Sequence, residues 1–62
     1  MPIMRVEMYE GRTEDQKAEM VRRVTEVLAE VLRVRPEEVH VVIYEVPRQN
    51  WGIGGRLESR RD

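Results

Sequence analysis

The sequence predicts an α/β fold: a single βαβ unit with a C-terminal β-hairpin, its sheets completed by oligomerisation. Three observations predict it. An alternating segment opens the chain, a long amphipathic segment with a capping signal follows, and a β-branched segment comes after Pro36.

In residues 2–9, Met4, Val6 and Met8 fall on one face and Arg5 and Glu7 on the other, the period of two expected of a strand covered on one side. Glu10-Gly11-Arg12 breaks that pattern. Thr13-Glu14-Asp15-Gln16 then reads as a capping box, with Thr13 as N-cap and Gln16 reaching back to it. Met20, Val21, Val24, Val27, Leu28, Val31 and Leu32 recur at steps of three and four, which makes one broad apolar helix stripe. Glu19 and Arg23 form an i, i+4 pair outside it.

Arg33 and Arg35 suit the negative end of the helix dipole, and Pro36 stops the helix from continuing, with Pro36-Glu37-Glu38 as a short 3₁₀ turn. Residues 39–46, VHVVIYEV, carry apolar side chains on both faces, as in a strand covered on both sides. Strand, helix, strand makes a βαβ unit, whose strands run parallel through a right-handed connection. After Pro47, Gly52, Gly54 and Gly55 are spaced too closely for a regular element, so a short hairpin and a mobile tail are expected.

A chain of 62 residues has room for one domain, expected to span 1–62. A domain this small buries only about 60% of the surface its unfolded chain exposes, and it gains stability from disulfides, a metal or association. There is no Cys and only one His, His40, so self-association is the remaining route. Two strands and a helix also leave a sheet face that a second copy must cover.

The formal net charge is −1, and ten Arg and one Lys are interleaved with twelve acids, which argues against a nucleic-acid footprint. No apolar run approaches the roughly 20 residues of a membrane span, and the N-terminus lacks a signal-peptide layout. A soluble, cytoplasmic protein is the expectation. The only Ser, Ser59, has no neighbouring His, which disfavours a nucleophilic triad, and one His among scattered carboxylates makes no metal site. Gly52-Ile53-Gly54-Gly55 follows a loop and opens no helix, so it reads as a hairpin needing positive φ rather than a phosphate loop. Trp51 beside it either packs in the core or walls a pocket. Arg12 lies between the strand and the helix N-terminus, as a surface residue or as a grip for a carboxylate.

Pro2 at the start of the first strand, Glu10-Gly11-Arg12 with Thr13 and Gln16 leading into the helix, and Trp51-Gly52-Ile53-Gly54-Gly55 near the end occur together. In that combination the chain resembles the 4-oxalocrotonate tautomerase family over essentially its whole length. The resemblance implies the tautomerase fold, an assembly of dimers such as a homohexamer built as a trimer of dimers, and sites formed between subunits. It implies a cofactor-independent isomerase, an enol–keto tautomerase of 2-hydroxy-2,4-dienoates or enolpyruvates. Its general base would be the Pro2 nitrogen, a secondary amine once Met1 is removed. Arg12 would bind a substrate carboxylate, Trp51 would stand for the family's aromatic wall, and Ile3 and Tyr9 would add apolar wall.

Where well-studied members carry a second Arg at the start of the second strand, this chain has His40. His40 either polarises a carbonyl in its place or is structural. The change favours an arylenolpyruvate over a dicarboxylate such as 2-hydroxymuconate. Dehalogenase relatives carry an acidic residue near the hairpin, where this chain has Ile53. Two other functions compete: a noncatalytic subunit of a mixed tautomerase-type oligomer, and a peptide-binding adaptor using Trp51 and the exposed strand edge.

Overall fold

The computed structural model describes residues 1–61. Strand β1 (Ile3–Tyr9) leads into helix α1 (Glu14–Leu32), and a 3₁₀ turn at Pro36–Glu38 delivers the chain to strand β2 (His40–Val46). A second 3₁₀ turn, Arg48–Asn50, precedes a hairpin of β3 (Gly52–Ile53) and β4 (Arg56–Leu57), and a third, Glu58–Arg60, follows it.

Strands β1 and β2 are parallel, in register from Ile3 opposite His40 to Tyr9 opposite Val46. The two-residue period puts Met4, Val6 and Met8 on one face with Val41, Ile43 and Glu45. That face meets α1, where Glu45 is ion-paired with Lys17. Ile3, Arg5, Glu7 and Tyr9 share the other face with His40, Val42, Tyr44 and Val46.

The helix begins as its capping box requires. The Gln16 amide donates to Thr13 Oγ1 at 3.1 Å, and the Thr13 amide donates to Gln16 Oε1 at 3.0 Å. Glu14 and Asp15 in the first turn suit the positive end of the helix dipole. The other end differs from expectation. The last turn holds no basic residue; Arg33 is the C-cap in the left-handed region, φ 59°, and the amides of Arg33 and Val34 both donate to the Ala29 carbonyl. The left-handed cap thus closes the helix through its backbone, with the Arg33 charge one residue beyond the last turn.

The hairpin pairs Gly52 with Leu57 and Ile53 with Arg56. Gly54 and Gly55 both take positive φ, 59° and 87°, as a two-residue hairpin turn that follows the strand twist requires. The segment expected to be a mobile tail is instead a 3₁₀ turn at Glu58–Arg60, docked by the Glu58 amide on the Trp51 carbonyl at 2.7 Å. Asp62, the last residue of that tail, lies outside the described residues.

Within one chain β2 is covered on the α1 side, consistent with the expectation that a second copy completes the sheet. Val42 is 39% and Tyr44 45% exposed, because among the described residues the face opposite α1 is covered only at its C-terminal end, where Trp51 and Arg48 pack on Tyr9. The helix stripe likewise exceeds the sheet it covers: Met20, Val21, Val24 and Leu28 are half-buried, whereas Val31 is 70% exposed. No hydrophobic side chain is fully buried among the described residues.

The accessible surface is 5261 Å², where a compact monomer of 7.4 kDa exposes roughly 4,200 Å². The Cα radius of gyration is 14.9 Å, against about 11 Å for a globule of this length. Among the described residues no helix is long and apolar enough to cross a membrane.

Candidate active site

The residues singled out from the sequence fall into two groups at opposite ends of the sheet. At the N-terminal end stand Pro2, Ile3 and His40. The His40 amide donates to the Pro2 carbonyl at 3.0 Å, extending the ladder one residue beyond the Ile3–His40 pair and fixing Pro2 beside the start of β2. Pro2 is half-buried, whereas Ile3 and His40 are exposed. Met1 projects into solvent at 79% exposure, and while it is attached the Pro2 nitrogen is an amide without a basic lone pair.

The C-terminal end of the sheet gathers Tyr9 and Trp51, with Arg12 in the loop after β1. The Tyr9 and Trp51 rings meet edge to face, centroids 4.5 Å apart at 61°. Trp51 is held by both backbone groups: its amide donates to the Arg48 carbonyl at 3.2 Å, and its carbonyl accepts from Glu58. It is half-buried against Tyr9 and also lines an open depression of about 270 Å³ with Glu7, Val46, Asn50 and Gly52.

Arg12 is exposed, set by Gly11 at φ 123°, and lines a separate cavity of about 190 Å³ with Met8, Gln16, Lys17 and Met20. Its lining combines the apolar Met8 and Met20 with Arg12 and with Lys17, which is ion-paired to Glu45. At about 3.3 Å per residue, the seven residues of β1 separate the two groups by roughly 20 Å. One chain therefore brings Tyr9 and Trp51 together, with Arg12 at the same end, and leaves Pro2, Ile3 and His40 apart from them.

Sequence reasoning missed two members of the C-terminal group. Arg48 lies over the Tyr9 ring, its guanidinium carbon 4.4 Å from the centroid. The Glu58 side chain is only 16% exposed and accepts from Arg61 Nη1 at 3.1 Å. Burial raises the Tyr9 phenol above its ordinary value, and the facing Glu58 carboxylate adds to the rise. For Glu58 the largest influence, burial, acts upward, but Arg61 and the Tyr9 hydroxyl together outweigh it and hold the carboxyl below the usual range. Neither residue had a signal in the sequence, since both reach Tyr9 through 3₁₀ turns whose placement depends on the folded hairpin. Among the described residues no cluster of three or more His, Asp or Glu could hold a metal ion.

A parallel βαβ unit closed by a glycine-turned hairpin, with a proline heading its first strand and an arginine just before its helix cap, defines a small α/β isomerase of the tautomerase type. Comparison with known proteins agrees: residues 2–60 match the Tautomerase family, described as tautomerase enzyme, and the chain belongs to that family. It is 42% identical over 60 residues to a 2-hydroxymuconate tautomerase from a Pseudomonas species, covering 97% of this chain and 95% of that one. The crystal structure of a 4-oxalocrotonate tautomerase homologue superposes with a TM-score of 0.92 at 42% identity, covering 100% of this chain and 98% of the other. A heterohexameric 4-oxalocrotonate tautomerase from Chloroflexus aurantiacus gives a TM-score of 0.88 at 37% identity, covering 97% of each chain.

Proposed function

We propose that this tautomerase converts a 2-hydroxy-2,4-dienoate or an enolpyruvate carboxylate to its keto form, with Pro2 as general base after removal of Met1. The observation that carries the reading is Pro2 itself: in a chain of this family it heads β1, half-buried and fixed by His40. Its secondary amine takes the proton from the enol hydroxyl, the electron pair moves through the conjugated carbons, and the ammonium returns a proton to carbon. The C–O bond becomes a carbonyl and the amine is regenerated. A partly desolvated site disfavours the ammonium, as do guanidinium groups contributed by another copy, and both lower the amine's pKa so that it is unprotonated near neutral pH. No cofactor enters these steps.

Arg12 grips the substrate carboxylate, His40 polarises the developing carbonyl, and Trp51, Tyr9 and Ile3 wall the apolar part of the substrate. Because Pro2 and Arg12 lie at opposite ends of one sheet, the site combines groups from different copies. The excess surface and the open sheet face support that assembly. We assign a homohexamer, a trimer of dimers of a single tautomerase domain spanning 1–62, in the cytoplasm.

Intact mass tests the first requirement, and retention of Met1 by active protein would refute the Pro2 mechanism. A spectrophotometric panel with 2-hydroxymuconate and phenylenolpyruvate then compares the native protein with Pro2→Ala and Arg12→Ala. Loss of general-base catalysis costs about 10²–10⁴-fold in rate. Unchanged rates in both variants would overturn the site.

A second reading, a noncatalytic subunit of a mixed oligomer, is favoured by His40 in place of the second Arg and by the heterohexameric relative. Activity of the purified chain alone excludes it.

A further inference from the structure

Neighbouring residues on one sheet face are buried together. On the open face Arg5 and Glu7 stand between Ile3 and Tyr9 along β1, opposite Val42 and Tyr44. Whatever covers the exposed Ile3, Val42 and Tyr44 therefore takes Arg5 and Glu7 out of water as well. A charge removed from water without an opposite partner is strongly disfavoured. Among the described residues neither Arg5 nor Glu7 has an ion pair within the chain. Arg5 lies over the Tyr44 ring, its guanidinium carbon 5.9 Å from the centroid, which leaves its edge N–H groups free to donate. The other charged groups of this face stand at its ends: Arg48 over Tyr9, Glu58 paired with Arg61, and His40 beside Ile3.

We infer that the open sheet face binds a second copy of this chain through paired charges, Arg5 of each copy meeting Glu7 of the other. A two-fold axis passing between the two positions sets a cation against an anion twice, so the face is complementary to itself. The chain's surplus surface is as large as one partner's share of a stable interface. The inference rests on the assembly proposed above and not on the Pro2 reaction. It adds what selects the partner: charges that answer one another favour identical copies and reject a chain with like charge at either position.

The test is sedimentation over a concentration series of the native protein, Arg5→Glu, Glu7→Arg and an equimolar mixture of the two variants. Each variant alone sets like charges against each other, and it should need about a hundredfold higher concentration than the native protein to assemble. In the mixture the acidic face of one variant meets the basic face of the other, and assembly should return to within about tenfold of the native value. Pairing within each chain would leave the mixture no better than its parts, and that result overturns the inference. So does assembly of either variant at native concentrations.

Far-ultraviolet circular dichroism shows whether the variants keep their helix. Should they lose it, Arg5→Gln and Glu7→Gln take their place: each weakens assembly about tenfold, and the two together by less than the product of the separate effects. Independent effects overturn the inference. Native protein that stays a single chain at every concentration, as a face made for a different chain would leave it, overturns the assembly and the inference together. Native protein that assembles but ignores the exchanged charges overturns the inference alone.

Discussion

Replacing Thr13 by Ala removes the hydroxyl oxygen that receives the Gln16 amide at 3.1 Å, and it leaves the return bond from the Thr13 amide to Gln16 Oε1 without its partner. The loss of an N-cap costs about 1 kcal/mol, within a range of about 0.5–2. For a chain of this size each kcal/mol lowers Tm by roughly 4–8 °C. Thr13→Ser keeps the accepting oxygen and stays within a few tenths of a kcal/mol of the native protein. Gln16→Ala removes the other arm, and because each bond orders the other, the double variant loses less than the sum of the two. Thermal melts at one fixed chain concentration read these values, since association makes Tm depend on concentration. Arg12 immediately precedes the cap, so if it grips the substrate carboxylate as proposed, a frayed first turn raises KM more than it lowers kcat. If Ser and Ala at position 13 melt together, or Ala costs nothing, the capping box does not hold this end of the helix and the reasoning is wrong.

Gly54→Ala places a side chain at φ 59°, where open space surrounds the added carbon, so the cost is backbone strain alone, about 1 kcal/mol by denaturant titration. Glu58 has a folded pKa below its ordinary 4.5, so its stabilisation is complete above that pH and fades as pH falls through the lower folded value; acid should release the Trp51 corner in the native protein, with that pH dependence absent in Glu58→Gln. Tyr9 has a raised pKa, so the fold favours its neutral phenol and loses that contribution as pH rises; an ultraviolet titration should show one of the two tyrosines ionising late, and Tyr9→Phe should remove the late step. Tyr44→Lys puts a charge on the open sheet face and should shift the protein to smaller species in sedimentation, whereas an unchanged assembly would show that this face is not an interface.

The elements written in local pattern were legible. Alternation in residues 3–9, the Thr13–Gln16 box, the 3₁₀ turn begun by Pro36 and the paired glycines at 54 and 55 each act over a few residues, so their signals sit within short windows of sequence. What was not legible depends on contacts made across the fold. Arg48 and Glu58 converge on Tyr9 only after the hairpin returns to the end of β1, and nothing in RQN or ESR marks those turns. The strand at 40–46 reads as covered on both faces because its sequence is, yet one chain covers only one of them. There the composition described an environment larger than a single chain. Arg33 shows a different limit, since nothing in its local pattern marks a non-glycine residue for the left-handed cap.

The same geometry ties catalysis to assembly. A layered unit 13 Å across its shortest axis exposes roughly 1,000 Å² more than a compact monomer, and a stable interface takes about 800 Å² from each partner. The apolar part of that excess lies on the sheet face carrying Ile3, Val42 and Tyr44 and along the outer helix stripe at Val27, Val31 and Leu32. Ile3, 61% exposed, follows the proposed base directly, so an assembly that covered the open sheet face would also desolvate Pro2. Substitutions at Tyr44 or Val42, which touch no substrate, should therefore lower activity in proportion to the assembly they dissolve, and raising the chain concentration should restore it.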